Sequence, residues 1–142
     1  MANRNEYIPA IQRAAANMPL RFSFKYLDFN HHKFYPSKCC TEYFLRLFET
    51  MHRFSNWTVA DFIDQNNNQH RHIFDFTQTS EPDGFQHIRD IDSEQLGYHE
   101  GWQFAVYPQQ EWSRWRAHGI LVDDTFFVVW LDQDHLLFPV PA

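Results

Sequence analysis

The sequence predicts an α+β protein: a single antiparallel β-sheet packed against an αα-hairpin, preceded by an extra N-terminal helix. Three observations carry this. Apolar residues recur three or four apart in the segments 8–18, 41–54 and 58–63, and they alternate in 21–29 and in segments after residue 71. The strand patterns gather behind the helical pair instead of alternating with helices, which marks α+β rather than α/β. Aromatics make up 18% of the 142 residues, including fifteen Phe, enough large rings to fill a sheet–helix interface and too many for a disordered chain. Residues 1–142 are therefore read as one domain, with 1–20 a helical extension and 21–138 the core sheet and helices.

Ile8, Ile11, Ala15 and Met18 give the N-terminal helix, with Pro9 suited to its first turn and Pro19 at its end. From Arg21 to Phe29 the chain alternates, Phe22, Phe24 and Tyr26 against Ser23 and Lys25, which predicts a half-buried strand. His31, His32 and Pro36 belong to the following turn. Thr41 is placed to cap a helix whose stripe is Phe44, Leu47, Phe48, Met51 and Phe54. Thr58-Val-Ala-Asp61 is a capping-box pattern that opens the second helix of the pair. A polar loop, Gln65 to Gln69, leads to a strand around His72, Phe74 and Phe76. Thr77 to Gly101 is a long acidic connection, the kind of segment that carries function in small domains. Trp102, Phe104 and Val106 mark a third strand. Trp115 to Val122 and Phe126 to Leu131, joined by Asp123-Asp124, form the clearest hairpin, and His135 to Phe138 is expected as a last short strand.

Composition excludes several classes. The four glycines are scattered, so no phosphate-cradling Gly-rich loop exists, and neither a P-loop enzyme nor a dinucleotide-binding fold is expected. The net charge of −6 hides an asymmetry. Residues 1–60 hold eight Lys/Arg and four acids (+4), whereas 61–142 hold four Arg and fourteen acids (−10). An acidic chain is a poor generic polyanion binder. Cys39 and Cys40, adjacent and outside any C-x-x-C pair, read as small apolar groups in a reducing compartment. With no apolar run of membrane-spanning length, a cytoplasmic protein is expected, with no membrane partner.

The closing stretch from Arg114 to Phe138 combines an Arg-bearing strand, a tight acidic turn and an apolar strand. With the preceding strand and αα-hairpin it resembles, in topology over residues 21–138, the RelE/ParE superfamily of small bacterial toxins. Many of those proteins cut mRNA in the ribosome without a metal, using the RNA's own 2′-hydroxyl as nucleophile, while others poison gyrase. The resemblance implies a toxin-type, metal-independent endoribonuclease acting on mRNA, with the ribosome or a cognate antitoxin-like protein as partner. Carried over by position, Arg114, Arg116 and His118 lie on alternate residues of one strand and His135 matches a late acid/base. Together they would supply the proton transfers and the cations for the developing phosphorane charge. Arg21, Lys25, Lys33, Lys38 and Arg71 are the candidates for holding RNA.

A different class is equally concrete. The acidic second half and the abundant aromatics suit a non-catalytic interaction module, an inhibitor or accessory factor binding a basic protein surface. Asp83, Asp90, Asp92 and Glu94 are its candidate contacts. The nine histidines, with His70, His72, His118 and His135 near Asp132 and Asp134, fit no recognised metal motif, so no metal and no cofactor is expected. Neither a G-x-S-x-G elbow nor a Cys–His arrangement is present.

Overall fold

A computed structural model describes residues 15–64, 71–88, 100–106 and 114–139. The elements run β1 (Arg21–Ser23), α1 (Thr41–Phe54), α2 (Val59–Ile63), β2 (Arg71–Asp75), β3 (Glu100–Ala105), β4 (Arg116–Val122) and β5 (Thr125–Asp132). They build one α+β fold around a five-stranded sheet in the order β1-β5-β4-β3-β2. The sheet is mixed and not purely antiparallel: β1 runs parallel to β5, while the other three pairings are antiparallel. Both helices and three strands intervene between β1 and β5, a crossover long enough to bring the chain back in the same direction.

β1 is much shorter than the alternation predicts. After Ser23 the chain folds into a turn: the Ser23 hydroxyl accepts from the Lys25 amide, and Leu27 N–H donates to Phe24 C=O. The predicted N-terminal helix falls largely outside the described residues, and Ala15–Met18 form a turn. Residues 135–138 are not a strand either. The Asp132 carboxylate takes the amides of Leu136 and Leu137 and curls the chain back, with His135 at φ +59°.

In α1 the buried side is Tyr43, Leu47, Thr50, Met51 and Phe54, while Phe48 is 56% exposed. Tyr43 can be buried because its hydroxyl donates to the Arg116 carbonyl at 2.8 Å, which satisfies its polar tip inside the core. The capping box opening α2 forms as the sequence predicts, Thr58 and Asp61 each bonding the other's backbone amide.

One face of the sheet shares a core with both helices: Phe54 and Phe62 pack on Phe104, Trp102 and Phe126. The other face is covered by irregular segments, with Phe34, Phe76, Phe85, Ile88 and Leu137 closing over Ile120, Val129 and Trp130. A bulge in the β4–β5 pairing between His118 and Gly119 leaves Val129 without a cross-strand partner. Val129 and Trp130 therefore point to the same face although they are consecutive. The carbonyl of Val129 is freed to accept from Asp28 N–H at 3.0 Å, which pins the 24–35 segment over the sheet. Among the described residues no helix is long and apolar enough to cross a membrane.

Candidate functional site

The sequence reading puts Arg114, Arg116 and His118 in one solvent-facing row, and the structure gives them three different exposures. Arg114 precedes β4 and is exposed. Arg116 is half-buried, with Nη1 donating to the Trp115 carbonyl at 2.9 Å, and desolvation lowers its guanidinium from the ordinary value. His118 is wholly buried, 0% exposed, between the ring edges of Phe34 and Phe74. The shared parity with Ile120 and Val122 is real, but that face lies under the second core cluster. His135 is half-buried, and its Nδ1–H donates to the Phe138 carbonyl at 2.6 Å. As a correction to the expectation, these four groups do not jut together into solvent, since His118 is buried and Arg116 and His135 are half-buried.

His118 serves another group. Its Nε2 lies 2.8 Å from Asp132 Oδ2, and Asp132 is itself 1% exposed. Burial lowers the imidazole's pKa, more than its bond to Asp132 raises it. Burial raises Asp132, but the bonds from His118, Leu136 and Leu137 more than reverse this and leave its carboxyl below its ordinary value. The consistent state is a neutral imidazole donating to a carboxylate. Among the described residues its Nδ1 has no hydrogen-bond partner.

The expected RNA-holding cations are dispersed or engaged. Arg71 is buried and caps the end of α2: Nε donates to the Phe62 carbonyl at 2.7 Å and Nη2 to that of Asp64 at 2.9 Å. Its guanidinium lies over the ring of Trp57 and desolvation lowers its pKa to about 10. It is structural and out of reach of RNA. Arg21 pairs with Asp124 at 3.4 Å, Lys33 with Glu81 at 2.6 Å and Lys38 with Asp134 at 3.6 Å. Lys25 is exposed and lies over Tyr26. Of the expected acidic contacts, Asp83 is exposed, whereas Asp90, Asp92 and Glu94 fall outside the described residues.

A cleft of about 430 Å³ opens where the 28–31 turn meets the 80–87 turn, with Trp130 at its base. Asp28, Glu81 and Asp83 give its wall three carboxylates, His31 and His87 two imidazoles, and among the described residues no Lys or Arg lines it. His31 Nδ1 accepts from the Lys33 amide at 3.1 Å, so its proton sits on Nε2 and is donated to Glu81 Oε1 at 2.8 Å. Partial burial raises Glu81, and the bonds from Lys33 and His31 more than reverse it, so the carboxyl stays ionised. His87 Nε2–H donates to the Tyr26 carbonyl at 2.8 Å, with Nδ1 3.6 Å from Asp28 Oδ2. Gly84, at φ +70°, lets the 80–87 turn close over the Phe76 ring.

Sequence reasoning singled out only Asp83 of this cleft. The signals for the rest were the His31-His32 turn and the Pro82-Asp83-Gly84 turn, separated by about fifty residues, and joined in the fold by the bonds of His31 and Lys33 to Glu81 and of His87 to Tyr26. Among the described residues no three His, Cys, Asp or Glu side chains assemble to hold a metal ion. Comparison with protein-family models, with curated proteins and with solved structures finds no match to this chain.

Proposed function

We propose that this protein is a non-catalytic acidic interaction module whose cleft docks a basic side chain, lysine or arginine, on the surface of a partner protein. The observation that carries this reading is the cleft wall: three carboxylates, Asp28, Glu81 and Asp83, of which Glu81 is paired from behind the lining with Lys33, and among the described residues no Lys or Arg in the lining itself. Lys33 and His31 brace Glu81 from one side. Asp83 stands exposed at the rim, where a charge steers an oppositely charged partner. Cys39 and Cys40 are both free thiols, which fits a cytoplasmic location.

The test is binding of a lysine- and arginine-rich peptide to purified protein, measured by calorimetry. Asp83→Lys is expected to weaken binding about tenfold through lost steering and added repulsion. Equal affinity for both proteins removes the reading.

A second reading, the metal-independent endoribonuclease of a toxin-like sheet backed by an αα-hairpin, is favoured by one feature. His31 and His87 line the same cleft, as the acid and base of a 2′-hydroxyl attack would need to. It predicts RNA cleavage in the presence of EDTA that is lost in the His31→Ala/His87→Ala double variant.

A further inference from the structure

We propose that the buried His118–Asp132 pair, although remote from solvent, is the positioning device of the acidic cleft, acting through the C-terminal turn and Ser80. The proposal rests on the docking reading above and adds residues that do not line the cleft.

The hydrogen bonds run outward from Asp132. Asp132 accepts from three donors: His118 Nε2 at 2.8 Å, Leu136 N at 2.7 Å and Leu137 N at 3.0 Å. A carboxylate buried to 1% exposure is tolerable only with such donors. Two of the three belong to the turn, so ionised Asp132 fixes the backbone of 136–137. The carbonyls of the same two residues face Ser80. Leu136 C=O accepts from the Ser80 hydroxyl at 2.6 Å, and Leu137 C=O from the Ser80 amide at 2.9 Å. Ser80 and the next residue, Glu81, are wall residues of the cleft.

His118 supports the same wall by a second route. Its cross-strand partner on β5 is Trp130, the base of the cleft. Among the described residues Asp132 is the imidazole's one hydrogen-bond partner, since Nδ1 has none there. Taking the imidazole away leaves the carboxylate short of a donor in a dry site. The Leu136 and Leu137 amides alone must then compensate it, and the turn that holds Ser80 loosens.

His118→Leu and His118→Gln separate positioning from general packing, because Gln can again offer an N–H to Asp132. Native-state hydrogen exchange and peptide calorimetry are measured on both. In His118→Leu the amides of Ser80, Leu136 and Leu137 are expected to exchange about tenfold faster while the β4–β5 ladder amides keep their protection. Affinity for the lysine- and arginine-rich peptide should fall about tenfold, and His118→Gln should restore both readouts to within about twofold. Uniform loss of protection across the sheet overturns the proposal, and so does selective loss with unchanged affinity. Should the wild-type protein not bind the peptide, the docking reading fails. The exchange pattern then decides the clasp alone, a selective change supporting it and a uniform one overturning it. If His118→Leu does not fold, Ser80→Ala cuts the same chain at its outer end, with faster exchange at Leu136 and Leu137 and weaker binding expected. Unchanged values there overturn the proposal.

Discussion

At the scale of single residues, the clearest consequence of the structure is a pH dependence at His118. The folded chain keeps this imidazole neutral, because burial outweighs its bond to Asp132. The unfolded chain protonates it below about pH 6.5, the ordinary histidine value. As pH falls through that value the unfolded state binds a proton that the folded state refuses, so stability declines. Asp132 acts in the same sense in a lower window. Its depressed folded pKa contributes stability that is complete above about pH 4 and is lost as the pH falls further. Urea midpoints of wild type and His118→Gln at about pH 7.5 and about pH 5 isolate the first effect. The wild type should lose more stability across that interval than the variant. Equal losses would show that His118 titrates alike in both states.

At the scale of elements, the β4–β5 hairpin governs the rest, and Gly119 is its critical point. A Cβ there would lie 1.9 Å from the Phe127 carbonyl oxygen and 2.7 Å from the Phe126 ring, so the strands would have to part at the bulge. Gly119→Ala is expected to cost about 3 kcal/mol, the upper end for overpacking, seen as a drop in the urea midpoint. A loss below about 0.5 kcal/mol, the range of ordinary surface substitutions, would mean the strands open freely there. This hairpin was legible in the sequence because two long apolar runs flank a turn-forming Asp pair, and Asp123 does take the left-handed conformation, φ +56°. The helix beginning at Thr58 was equally legible, its capping box being a purely local device. What misled was part local and part non-local. The Arg21–Phe29 alternation has the period of a strand, yet a side-chain bond at Ser23 ends it. The burial of Tyr43 in α1 depends on a bond to a carbonyl 73 residues away. The charge of Arg71 reads as surface until the carbonyls at the end of α2 are found around it. The cleft was the least visible feature, since a bulge has no local sequence rule and this one sets which residues of β5 meet the covering turns.

For the whole molecule, the charge asymmetry of the two halves is partly consumed within the fold. Arg21–Asp124, Lys33–Glu81 and Lys38–Asp134 each join a cation of the first sixty residues to an acid of the remainder. Exposed pairs such as Lys38–Asp134 contribute little to stability, roughly 0–1 kcal/mol each, but all three pairs engage cations that a polyanion would need. The remaining excess is negative, and Asp83 carries part of it at the cleft rim. Attraction to a basic partner should then be a screened, medium-range force. Screening acts over about 8 Å at physiological salt and over about 3 Å at 1 M. Affinity for the lysine- and arginine-rich peptide should therefore fall steadily between low and high salt, chiefly through a slower association rate. Asp83→Lys should flatten that dependence as well as lower the affinity. Binding that holds constant with salt would instead place the contact on apolar surface, for which the exposed Leu45 and Phe48 of α1 are the side chains to substitute next.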